Sequence, residues 1–129
     1  MNTMEEQQIG DIVTAHYRTG KYIGEVTAVN PAHYVVQIKA VLKHPEQGDL
    51  HSPKEVDVPF FHERRALAFN ERANIVKQMV KLYAGAIPNY KDSLTDSLGT
   101  LREELQRNGD TWSNRSLENL KQLEIEYNR

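Results

Sequence analysis

The residues best equipped for chemistry are clustered. His44-Pro45-Glu46-Gln47-Gly48-Asp49-Leu50-His51 is followed by His62-Glu63, so three of the five histidines fall in one stretch. Imidazole nitrogens and carboxylate oxygens together suit zinc or nickel. His44, Asp49, His51 and His62 could supply such a donor set. The spacing matches no compact metal motif, such as two histidines one helical turn apart. An ordered polar loop accounts for the same residues: prolines stiffen its path, Gly48 takes a positive φ, and Asp49 accepts backbone amides. Long polar loops in compact domains are often functional. The cluster therefore reads as a binding surface first and as a metal site second.

Phe60-Phe61-His62-Glu63-Arg64-Arg65 is the second such feature. Adjacent phenylalanines in a strand point to opposite faces, so one enters a core and the other does not. Arg64 and Arg65 present forked donors suited to a carboxylate or phosphate on a partner. Pairing with a local acid such as Glu63 or Asp57 is the plainer use. Tyr17, Tyr22 and Tyr34 could line a groove for a proline-rich peptide. Core tyrosines with hydroxyls at the rim are the expectation instead. His16 and His33 read as structural, and Trp112 as a core anchor. The sequence contains no G-x-S-x-G, P-loop, G-x-G-x-x-G or H-E-x-x-H string. Glu103, Glu104, Glu124 and Glu126 read as solvated helix faces. The expectation is a protein without catalytic residues or a cofactor.

The elements that must position these residues fall into two halves. Asp11 to Tyr17 and Lys21 to Val29 read as short strands, separated by Arg18-Thr19-Gly20. Gly24 marks a bulge or bend in the second. His33 to Lys43 alternates with period two: Tyr34, Val36, Ile38, Ala40 and Leu42 share one face. Glu55 to Phe61 reads as a further short strand, with Pro59 placing it at an edge. The expected N-terminal unit, residues 1–69, is a small antiparallel curled sheet or partly open barrel of the SH3-like kind. Residues 70–89 are expected to connect, with a short helix or turn.

Residues 90–129 are expected to form a helical hairpin, making the fold class α+β. Leu94, Leu98, Leu101 and Leu105 form one apolar stripe, and Trp112, Leu117, Leu120, Leu123 and Tyr127 another. Gly109 stops the first helix and Asp110 caps the second. The hairpin packs on the sheet, on itself, or on a second copy in a homodimer.

The chain has 129 residues, a net charge of −2 and no cysteine. One compact domain is the expectation. Disulfides, thiolate metal sites and cysteine-linked lipids are excluded. The near-neutral balance supplies no cationic field for nucleic acid. The polar, acidic N-terminus lacks the features of a secretory signal, and a cytoplasmic location is expected.

Tyr22-Ile23-Gly24-Glu25-Val26, Lys39 to Pro45, Gln47 to Pro53, Val58 to Ala68, Met79-Val80-Lys81 and Ile87-Pro88-Asn89-Tyr90 are distinctive strings. Together they resemble the kinase-associated protein B family of Bacillus-type bacteria. The likeness covers nearly the whole chain. It implies an accessory regulator needed for a membrane-bound sensor histidine kinase to feed phosphate into the sporulation phosphorelay. It carries over no active-site residue. Members have been described as lipoproteins; with no cysteine here, attachment to the inner face of the membrane is expected through the kinase alone. The expected partner-facing residues are His44, Gln47, Asp49, His51, Phe61, His62, Arg64 and Arg65.

Overall fold

The computed structural model describes residues 6–48 and 63–129. Five strands and two helices follow in the order β1 (Ile12–Tyr17), β2 (Gly20–Val29), β3 (His33–Lys43), β4 (Arg72–Val76), β5 (Val80–Leu82), α1 (Tyr90–Asn108) and α2 (Thr111–Tyr127). The strands form one antiparallel sheet in the spatial order β4-β3-β2-β1-β5. The α+β class is as expected.

Residues 70–89, expected as a connection, supply both edge strands. β4 pairs with β3 and β5 with β1, at opposite ends of the sheet. Only the 3-10 turn Lys77–Met79 separates them in sequence. Such a turn rises about 2 Å per residue, whereas strands crossing a flat sheet are spaced about 4.8 Å apart. The sheet must therefore curl strongly to bring its edges near each other. It is not closed: β4 and β5 do not pair. The strand order defines an open, strongly curled antiparallel sheet, as expected for the N-terminal half.

The β2–β3 pairing is irregular at three places, which leave Thr27, Lys39 and Leu42 without an opposite residue. Each unmatched residue resets the in-out alternation. Leu42 was expected beside Ala40 on the apolar face, yet it is 42 % exposed and Val41 is buried in its stead. Gly24 lies at one irregularity. A Cβ there would stand 2.5 Å from Val36 Cγ1 and 2.6 Å from the Gln37 carbonyl oxygen, so the close strand approach requires glycine.

The helices follow their sequence signals. Asn89 caps α1 by accepting from Asp92 N, and Gly109 ends it with φ 66°. Asp110 Oδ1 accepts from Ser113 N at 2.7 Å and starts α2. Leu98, Leu101 and Leu105 pack with Trp112, Leu120 and Leu123 in a hairpin core. Leu94, one turn earlier, belongs instead to the sheet core with Val36, Ile38 and Val41. Tyr127 touches both cores. Ser93 Oγ accepts from Val41 N at 2.9 Å, so α1 satisfies a strand amide freed by the bulges.

Candidate functional site

β3 ends at Lys43, and the chain then turns under the C-terminal end of α2. His44 is wholly buried there. Its Nδ1 lies 2.9 Å from the Pro45 carbonyl oxygen and its Nε2 lies 2.9 Å from Tyr127 Oη. A carbonyl only accepts, so Nδ1 carries the proton and Nε2 is the acceptor. Tyr127 Oη donates to Nε2 and accepts from Ala66 N at 3.0 Å. Every polar atom in this chain of bonds is thereby satisfied. Burial pushes the His44 pKa down to about 4, against the hydrogen bond to Pro45, so the ring is neutral at neutral pH. Burial also raises the Tyr127 pKa.

His44 was expected on an exposed surface or in a metal set. It is neither exposed nor open for coordination, because both ring nitrogens are engaged inside the chain. Among the described residues, no group of three or more His, Cys, Asp or Glu side chains is arranged to hold a metal ion.

Gln47 is likewise buried rather than partner-facing. Its Oε1 accepts from Arg64 N at 2.9 Å, and its Nε2 donates to Arg64 O at 2.9 Å and to Pro45 O at 3.0 Å. The side-chain amide thus pairs with one residue's backbone as a neighbouring strand would. Arg64 Nε returns a bond to Gly48 O at 3.0 Å. Gly48 takes the expected positive φ, 101°. The segments on either side of residues 49–62 are therefore clasped together at Gln47, Gly48 and Arg64. Asp49, His51, Asp57, Phe61 and His62, and the strand expected over Glu55 to Phe61, lie outside the described residues.

The clasp continues along residues 65–67. Arg65 pairs with Glu126 and stands over the Tyr127 ring, 5.6 Å from its centroid. That acid is neither Glu63 nor Asp57, and nothing in the local sequence singles it out. The Glu126 hydrogen bond raises the Arg65 pKa. Leu67 N donates to Tyr22 Oη at 3.2 Å, and Tyr90 Oη donates to Leu67 O at 2.6 Å. Burial pushes both tyrosine pKa values up to about 12. Tyr22 and Tyr34 fill the core with hydroxyls at its rim, and Tyr34 Oη accepts from Gln7 N at 2.7 Å.

Beside this clasp lies a cavity of about 250 Å³, lined by residues of the β1–β2 turn, Pro45 and residues 63–67. Arg64 and Arg65 stand at its edge, joined by Arg18. Reading along the sequence missed Arg18, Tyr127 and Glu126 as members of this region. Tyr127 is visible in the sequence only as part of a helix stripe, and no spacing rule links it to His44.

These observations define a small α+β domain in which an open curled sheet is backed by a helical hairpin and the polar interior serves to tie loops down. The family model described as kinase associated protein B matches residues 17–128. The chain is 53 % identical over 124 residues to "Kinase-associated lipoprotein B" of Bacillus subtilis (strain 168), covering 96 % of this chain and 97 % of that one. The crystal structure of kinase-associated protein B from Bacillus cereus has the same fold, with a TM-score of 0.82 and 45 % identity over 96 % of this chain and 100 % of that chain. The chain belongs to the kinase-associated protein B family.

Proposed function

We propose that this protein is a non-catalytic accessory factor that binds a membrane-bound sensor histidine kinase and lets it feed phosphate into the sporulation phosphorelay. The observation that carries this reading is the 53 % identity, over 96 % of the chain, to a protein named for its association with a kinase. The protein acts from the cytoplasmic side by protein–protein contact. In this reading contact with the membrane runs through the kinase; among the described residues no helix is long and apolar enough to cross a membrane.

The partner-facing surface is Arg64 and Arg65 together with Asp49, His51, Phe61 and His62. His44 and Gln47 serve it from beneath. The histidine holds Pro45 and the C-terminal turn of α2, and the glutamine clasps the two segments that flank residues 49–62. Two buried anchors then hold Pro45 and Arg64 in place, as a rigid scaffold holds the ends of a binding loop.

The test is autophosphorylation of the sporulation sensor kinase in membranes, with and without the purified protein, alongside co-sedimentation. Enhanced phosphorylation with co-sedimentation is expected. Absence of both would overturn the reading. A variant carrying Arg64→Ala and Arg65→Ala should keep its helical circular dichroism and lose at least tenfold in kinase affinity.

A further inference from the structure

We infer that the cavity between the β1–β2 turn and residues 63–67 is a binding pocket for an oxyanion carried on a short apolar stem. The assignment of the carrier to a side chain of a protein partner rests on the reading given under Proposed function. The pocket itself rests on three observations.

The first is charge. Arg18, Arg64 and Arg65 line the cavity, and among the described residues lining it Glu63 is the one acid, in a chain whose net charge is −2. Arg64 is oriented by its Nε bond to Gly48 O, and Arg65 by its pairing with Glu126. Among the described residues no carboxylate pairs with Arg18; its guanidinium sits over the Tyr17 ring, 5.2 Å from the centroid. Guanidinium groups held in this way are suited to two-pronged recognition of carboxylate or phosphoryl oxygens.

The second is shape. Among the described residues the rest of the wall is Tyr17, Thr19, Tyr22, Pro45 and Leu67, and the volume is about 250 Å³. That is smaller than a typical cofactor site and fits one side chain or a comparably small ligand. Apolar walls with a few convergent charged groups are the usual make-up of such sites.

The third is the backbone at Arg18. It is the first residue of the two-residue turn joining β1 to β2, and its φ is 55°. Hairpin turns of this length place glycine or asparagine where φ is positive, because a Cβ is disfavoured there. Arginine therefore sits at a position where its own backbone conformation is costly. Strain of this kind collects at binding sites, where a particular side chain is needed. The turn is also held against the pocket wall, since Thr19 Oγ1 accepts from Glu46 N at 2.9 Å.

The experiment is titration of the ¹⁵N-labelled protein, followed by NMR, with phenyl phosphate and with phenylacetate as stemmed oxyanions and inorganic phosphate as a stemless one. Saturable shifts at residues 17–22 and 64–67 are expected with a stemmed probe, at least tenfold weaker for inorganic phosphate. A preference for phenyl phosphate assigns a phosphorylated side chain, and a preference for phenylacetate an acidic one. Arg18→Gly should weaken binding at least tenfold while raising the melting temperature, and Glu63→Gln should tighten it. No saturable shift with either stemmed probe, or binding unchanged by Arg18→Gly, would overturn the inference. These titrations contain no kinase, so their failure is distinct from a failure of co-sedimentation.

Discussion

His44 Nε2 and Tyr127 Oη meet at 2.9 Å across 83 positions of sequence, joining the exit of the longest strand to the last turn of the last helix. The same hydroxyl accepts from Ala66 N, so one atom ties three separate segments together. The segments at His44 and Ala66 are thereby fixed to the helical hairpin.

Tyr127→Phe keeps the ring and removes that atom. His44 Nε2 and Ala66 N then lose their partner in a buried place. Each unsatisfied group costs about 1–3 kcal/mol. A loss of about 2–3 kcal/mol is expected in urea unfolding, at unchanged m-value. A loss below 0.5 kcal/mol would show that the three segments hold without the hydroxyl.

Stability should fall as the solution is acidified from about pH 6.5 to 4. The His44 ring protonates at about 4 in the folded chain, whereas an unfolded histidine does so near 6.5. Between those values the unfolded state binds the extra proton, so lowering the pH favours it. The contribution of this residue is about 3 kcal/mol, fully present above pH 6.5 and lost by pH 4. Urea midpoints measured across this range should flatten in His44→Gln. An equally steep profile in that variant would assign the pH dependence elsewhere.

Gly24→Ala places a Cβ against Val36 and the backbone at Gln37. The neighbouring strand cannot yield by a side-chain rotation, so β2 and β3 must part. A cost of about 1–3 kcal/mol is expected, as for other overpacked core sites. Calorimetry reads it directly, and retention of the parent melting temperature would mean the bulge can shift to make room.

Gln47→Leu fills the same volume without the amide and leaves the Arg64 backbone N–H and carbonyl without their partners. A loss of about 2–4 kcal/mol is expected. Because Gln47 supports the proposed surface without being part of it, hydrogen exchange of the Arg64 amide should accelerate in step with the loss of kinase affinity. Faster exchange with full affinity would place the partner surface away from this clasp.

Much of this molecule is legible in its sequence wherever the physics is local. The alternation from His33 to Lys43, the two leucine stripes, and Gly109-Asp110 between the helices each depend on neighbours a few residues away. Periodicity and capping report such neighbours well. The long strings that resemble the family agree with the family model over residues 17–128 and with the 53 % identical relative.

Tertiary structure decided the rest. Residues 72–76 and 80–82 carry too few residues to announce themselves as strands, and they become strands by pairing with β3 and β1 on a curled sheet. The exposure of Leu42 depended on bulges that only the β2–β3 register reveals. His44 and Gln47 looked like surface chemistry because a polar residue in a polar loop has no local mark of burial. Their partners are Tyr127 and the backbone of Arg64. A distant hydroxyl and a distant peptide group leave no periodic signal in the chain, yet they are what allows these polar side chains to be taken out of water.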